Sequence, residues 1–443
     1  MNTQGIALAA DSAVTMTNEV EEGERSQKIF PSANKIFTLS KYQPVGVMVY
    51  GNASFMGVPW ESIIKMYRSQ LGETNFPALK QYSENLLSFL RKEPTIGSEP
   101  FQERYVAACI VSYLQNLRES IRKEANQQMC GGAKLSKAAV TRLVAQVVEG
   151  QYESWSNAPS AEKPPRNYRR SVRSKYIGII EGYKENILDQ LPMSKKTSNL
   201  LTKVVVELFN RFPPDIYHSG ISGVVVAGFG TEDIFPCLTS FFVDGVAANM
   251  LRYAVDKDRN IDMQIDARII PFAQKEMVVR FMSGVDPFYE ENIASIIADC
   301  LFKYPQVIID NIDNLTHSKK EELEKRLSAL ASDEFKGIVE RLSKFKQDAF
   351  AHPVLQVVAM LPKDGLALMA HSLVSLTSFK RRMSMEAETV GEPIDVAVIS
   401  KGDGFTWIKR KQYFPAELNR PFWENYFKEK NYGDKSSQRK KGR

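Results

Sequence analysis

Cysteine and histidine are scarce, with four of each in 443 residues. Cys109, Cys130, Cys237 and Cys300 show no C-x-x-C spacing, and no two of His218, His317, His352 and His371 stand at the spacing of a zinc helix. A disulfide framework and a sequence-evident metal site are therefore excluded, and free thiols in a reducing compartment are the expectation. Long apolar runs are missing too, so neither a membrane span nor a basic-then-apolar leader is read, and a cytoplasmic protein is expected. One-sided charge is also small. The net charge is +6, and much of the excess falls in the tail 435–443. A nearly neutral body argues against a nucleic-acid surface. Gly228-Phe-Gly230 lacks the third glycine of a dinucleotide loop, and no cofactor is expected.

What is present is a globular composition, 43% hydrophobic and 25% charged. Gly5 to Asp11, Lys35 to Ser40 and Pro44 to Tyr50 read as strands, the last apolar without a break, as a strand covered on both faces is. Thr17 to Ser26, with four glutamates, reads as a solvated loop. A helix is expected from about Gly51 to Arg68. Residues 75–215 change in texture, with helical patterns over 105–126, 137–149 and about 176–212 around a polar loop at 154–173. Strands return at 220–230 and 237–243. Residues 271–303 read as helical, 319–346 as a charged amphipathic helix pair, and 362–379 as a further helix. Ile394 to Ile399, the turn Lys401-Gly-Asp-Gly404 and Phe405 to Ile408 predict a closing hairpin.

The order strands, helices, strands, helices, strands predicts one layered α/β (α+β) domain with two helical insertions. That order resembles the proteasome β-subunit and the related bacterial ATP-dependent protease subunits, members of the N-terminal nucleophile (Ntn) hydrolases. The resemblance is carried by Gly5-Ile-Ala-Leu-Ala-Ala-Asp-Ser12, by Lys35-Ile-Phe37, by Gly51 with Ala53, by the pair Ser222–Gly230 and Cys237–Gly245, and by Gly391 with Ile394–Ile408. It covers about half of the chain. It implies a four-layer αββα sandwich built from 1–74, 216–284 and 356–413. Helical insertions would then occupy 75–215 and 285–355, and a C-terminal extension with a basic tail 414–443.

The resemblance also implies a chemistry. In that family the nucleophile is the hydroxyl or thiol of an N-terminal Thr, Ser or Cys, and its own α-amine is the general base. An α-amine ordinarily titrates near pH ~8, nearer to working pH than the roughly 10.4 of a lysine. Carried over, Asp11 orients a lysine, Lys35 is that electrostatic lysine, Gly51 forms the oxyanion corner and Thr389 stands near the amine-supporting position, with Glu386 as its alternative. Each residue also has a plainer reading. Asp11-Ser12 fits a polar turn, Lys35 a strand-edge lysine with Lys28-Ile29-Phe30 as a competing match, and Gly51 a turn glycine.

Departures from the family pattern are clear. Met1-Asn-Thr-Gln4 is too short for a strand of about 5–6 residues and reads as the turn of a hairpin whose first strand is absent. Thr3 lies too close to Asp11 to be the nucleophile. The Gly-Ser corner expected near Pro271–Gln274 is missing, and Glu392 replaces a second glycine after Gly391. Two functions stay open: a threonine-type peptidase without its nucleophile strand, and a non-catalytic scaffold or ring subunit that binds partners through its insertions. The resemblance further implies a ring-like homo-oligomer, a peptide or protein substrate and an unfoldase partner.

Overall fold

The computed structural model describes residues 1–19, 25–30, 33–129, 135–162, 164–212, 220–312, 316–384, 391–412 and 414–421. The strands are β1 (Ile6–Asp11), β2 (Val14–Glu19), β3 (Arg25–Phe30), β4 (Ile36–Thr38), β5 (Val45–Gly51), β6 (Ser54–Phe55), β7 (Val58–Pro59), β8 (Ser222–Gly228), β9 (Cys237–Ala247), β10 (Met250–Asn260), β11 (Ile394–Ser400) and β12 (Gly404–Lys409). One sheet has the order β10-β9-β8-β5-β4 and a second the order β1-β11-β12. The pairs β2-β3 and β6-β7 stand apart as small hairpins. Every pairing of these strands is antiparallel.

The helices are α1 (Trp60–Leu71), α2 (Leu79–Lys92), the short α3 (Pro94–Gly97), α4 (Glu99–Gln128), α5 (Lys137–Asn157), α6 (Tyr168–Leu188), α7 (Lys195–Asn210), α8 (Glu276–Ser283), α9 (Pro287–Asp310), α10 (His317–Lys346), α11 (His352–Met360) and α12 (Lys363–Arg382).

The period-2 geometry of a strand sorts these apolar runs onto opposite faces. Val45, Val47 and Val49 of β5 join Val224 and Val226 of β8 on one face of the larger sheet. Trp60, Ile63 and Tyr67 of α1 and Tyr82 and Leu86 of α2 pack against them. On the other face, Met48, Val225, Ala227 and Leu238 meet Ile6, Leu8, Ala10, Ala397 and Ile399 of the smaller sheet. The smaller sheet's remaining face presents Ile394, Val396 and Val398, with Ala7 and Ala9, to Ala367 and Val374 of α12. Strands β5 and β8 are thus covered on both sides, which is why they read as continuous apolar runs. Each large side chain removed from water there contributes about 1.5–3 kcal/mol.

Helices α4 to α7 form a second core. Val106, Ile110, Leu114, Leu117 and Ile121 recur at spacings of three and four along α4 and meet Val144, Tyr176, Leu201 and Val205. Buried polar groups join this bundle to β9 and β10. The Tyr105 hydroxyl donates to Asp244 Oδ2 at 2.5 Å, and the Arg252 guanidinium donates to the same oxygen. Arg252 also donates to the Arg211 carbonyl at 2.8 Å through Nη2 and lies 4.8 Å from the Phe212 ring centroid.

Helices α9 and α10 pack on each other, yet α10 buries none of its 30 residues.

Several expectations are corrected. Part of the stretch read as a loop at 17–26 belongs to the β2-β3 hairpin, with residues 20–24 outside the described residues. The first helix opens at Trp60 rather than Gly51, because left-handed Met56 and Gly57 close the β6-β7 turn before it. Strand β10 was not foreseen, since its charged sequence hides its apolar positions. The pattern over 176–212 is two helices separated at Pro192, whereas 271–303 is helical from Glu276 on, as α8 and the first part of α9. The charged helix pair over 319–346 is one helix, α10, whose partner is α9.

Candidate functional site

The site begins where β1 stops. Asp11 ends the ladder opposite Ile394, and the next residues turn away. The turn is built locally: the Ala13 amide donates to Asp11 Oδ2 at 2.9 Å, and the Ser12 hydroxyl donates to the Pro393 carbonyl at 2.6 Å. This leaves Asp11 Oδ1 facing the strand that follows in space, where it accepts from Lys35 Nζ at 2.8 Å. Lys35 is held from behind, because its carbonyl accepts the Val49 amide of β5 at 2.8 Å. The two side chains are 21% and 14% exposed, so the ammonium is oriented and partly desolvated while its edge stays accessible.

Gly51 closes β5 and lines the same cavity as the pair. Its φ of +80° is left-handed, and a Cβ there would stand 2.7 Å from the Ile221 carbonyl oxygen, so only glycine fits without strain. Asn52 fixes the corner, donating through its amide N–H to the Ile221 carbonyl at 3.1 Å and accepting the Ser54 amide on Oδ1 at 3.2 Å.

Asp11, Lys35 and Gly51 all line one cavity of about 910 Å³. Its walls run along the whole of β1, across Met48 and Tyr50, beneath Met369 and Leu373 of α12, and along Arg268 to Gln274. A volume of this size falls in the range of ligand pockets.

The structure thus brings three of the four expected site residues together. Thr389 and its alternative Glu386 lie outside the described residues, as does the side chain of the competing Lys28. Thr3 is exposed in the tight turn between Asn2 and Gly5. Pro271 to Gln274 do line the cavity, without the glycine and serine the resemblance would place there.

Sequence reasoning passed over a second ion pair. Lys411 Nζ donates to Asp395 Oδ2 at 2.6 Å and to the Ala33 carbonyl at 2.7 Å, anchoring the segment that carries Lys35. Asp395 is 3% exposed. The available signal was one acid inside the apolar run of β11, which demands a buried partner. Asn2 was also missed. It is fully buried, and its Nδ2 donates to the Val358 and Leu361 carbonyls at 2.9 Å each, tying the first residues to the end of α11.

Chemically, an oriented ammonium lining a largely apolar cavity stabilises an anion and depresses the pKa of an adjacent amine or hydroxyl. Among the described residues no group of three His, Cys, Asp or Glu side chains could hold a metal ion, and no helix is long and apolar enough to cross a membrane. No family model, curated protein or solved structure matches the chain.

Proposed function

We propose that this chain follows the proteasome-like Ntn-hydrolase plan, an αββα sandwich with helical insertions, and that the cavity beside Lys35 is a site of peptide-bond hydrolysis. The observation that carries the reading is the Lys35–Asp11 pair, held at 2.8 Å in the same cavity as the left-handed Gly51 corner. The two sheets that pack face to face, with α1 and α2 outside one and α12 outside the other, support it.

In this reading a Thr, Ser or Cys at the head of a strand beside β1 supplies the nucleophile. Its hydroxyl or thiol adds to the substrate carbonyl carbon, and its proton passes to the same residue's free α-amine. The oxyanion is held by backbone N–H groups at the Gly51 corner. The C–N bond then breaks, the ammonium returns its proton to the leaving amine, and water hydrolyses the acyl-enzyme ester or thioester. Lys35 acts throughout as a fixed positive charge, and Asp11 positions it. The substrate class is a peptide or unfolded protein, and a ring of copies fed by an unfoldase is the assembly this reading favours.

The test gives the full chain a threonine-led strand ahead of Met1 and measures turnover of fluorogenic peptide amides. Turnover is expected, falling roughly 10²-fold in Lys35→Ala. Absence of turnover across a broad peptide panel, or equal turnover in Lys35→Ala, overturns the reading.

A second reading rests on the arm formed by α9 and α10. Ile296, Tyr304, Leu330 and Phe345 are all more than half exposed there, an apolar display that suits partner binding by a non-catalytic scaffold.

A further inference from the structure

Helices α9 and α10 form an antiparallel arm. Lys346 of α10 pairs with Glu290 near the start of α9, and the rings of Phe302 and Phe335 stand 6.2 Å apart farther along. Toward α10, α9 turns Pro305 and Ile309, which are buried, with Ile297 and Leu301 half-buried at the same spacing of four. Nearly half of the 30 residues of α10 are charged, so its outer side suits water. The composition of α9 is different: its charges are Glu290, Glu291, Asp299, Lys303 and Asp310 alone.

A second apolar stripe runs along α9, beside the one that meets α10. Tyr289, Ile296, Cys300, Tyr304 and Val307 recur at spacings of seven, four, four and three, so they fall within about 80° of the helix circumference. Tyr289, Ile296, Tyr304 and Val307 are each more than half exposed, and Cys300 is exposed with them. The stripe is about 27 Å long at the helical rise. Such spacing is the seam pattern of paired helices, and α10 already takes the other side of α9.

We propose that this stripe is the seam of a homodimer, packed antiparallel on the same stripe of a second copy. A two-fold axis beside Cys300 sets Ile296 of each copy against Tyr304 of the other. The charges on one flank of the stripe favour a second copy and fix its direction. Asp299 and Lys303 lie there on adjacent turns, both exposed, and neither makes an ion pair among the described residues. In the antiparallel arrangement each Lys303 comes within side-chain reach of the other copy's Asp299, which gives two symmetric ion pairs. A parallel arrangement sets Asp299 against Asp299 and Lys303 against Lys303, and like charges repel. The flank is thus complementary to itself. A helix contact of this length lies at the small end of specific interfaces, below about 1,200 Å² in total, so dimerisation should depend on concentration. The pairing names the partner of the arm in the second reading above and rests on that reading; the hydrolase reading is independent of it.

Sedimentation equilibrium of the full chain tests the seam. A monomer–dimer equilibrium is expected between roughly 1 and 100 μM. Ile296→Glu and Tyr304→Glu stand at exposed positions, so the monomer's melting temperature should hold while each variant weakens the dimer at least about tenfold. Asp299→Lys should weaken it roughly threefold or more. Asp299→Lys together with Lys303→Asp should restore it, because the swapped pair is again complementary. A chain that stays monomeric throughout the range overturns the pairing, as does an assembly that Ile296→Glu and Tyr304→Glu leave unchanged. Failure of the double charge swap to restore association overturns the antiparallel seam. A monomeric chain that binds a different protein, and loses it in Ile296→Glu, overturns self-pairing and leaves the second reading standing.

Discussion

Lys35 and Asp11 stand 24 residues apart in sequence, and the ammonium of one reaches Oδ1 of the other at 2.8 Å while Asp11 Oδ2 caps its own turn. The carboxylate therefore has two duties, and the lysine has one. Lys35→Met should cost about 1 kcal/mol, the scale of a partly exposed pair. Asp11→Ala removes the turn's acceptor as well and should cost about 2 kcal/mol. Urea denaturation of the two variants checks the ordering, and equal losses would contradict it.

Gly51 and Gly404 share positive φ angles of +80° and +75°, but their surroundings differ. A Cβ at Gly51 meets the Ile221 carbonyl oxygen at 2.7 Å, whereas nothing lies within 4 Å of one at Gly404. Gly404→Ala should cost about 1 kcal/mol, the penalty of left-handed backbone alone. Gly51→Ala adds a backbone clash and should cost at least about 1 kcal/mol more. Thermal denaturation of both variants makes the comparison.

Asp244 and Arg252 are each no more than 5% exposed, and they join the helical bundle to the sheet. Removing one partner strands the other charge in the interior. Asp244→Leu or Arg252→Met alone should destabilise the chain by about 3–5 kcal/mol, while the double replacement should cost less than the two together. A double-mutant cycle measures this, and simple additivity would contradict it.

A chain bearing a free amine at Met1 should show a particular pH dependence. Burial lowers that amine from 8.0 to about 5 in the folded state. Between those values the unfolded chain holds a proton that the folded chain does not. Stability is therefore fully present above pH 8 and is lost as pH falls toward 5, by about 1.4 kcal/mol per pH unit. Acetylation of the amine should flatten this slope. A slope unchanged by acetylation would contradict the assignment.

The sequence disclosed those parts of the fold whose signal is local. Apolar Val45 to Tyr50 announced a doubly covered strand, Asp11 ends β1 as expected and Lys35 stands directly before β4, whereas Gly51 closes β5 instead of opening a helix. It concealed what depends on distant partners. Strand β10 carries Arg252, Lys257, Asp258 and Arg259 among its residues, so charge masked its strand pattern, yet Arg252 is held by Asp244 from the neighbouring strand. Lys411 gave no sign of reaching Ala33, 378 residues away. Asn2 resembled a turn residue, and its burial depends on carbonyls more than 350 residues later. Ser54–Phe55 and Val58–Pro59 form a short hairpin within the stretch that reads as helix.

The central claim is that Lys35 activates a nucleophile seated at the end of β1. It is tested most directly by treating the threonine-led chain with a peptidyl β-lactone, which acylates a reactive hydroxyl, and locating the adduct by mass spectrometry. The account predicts one adduct, on the leading threonine, formed at least roughly tenfold more slowly in Lys35→Ala. No adduct at that residue, or labelling at the same rate in Lys35→Ala, would contradict it.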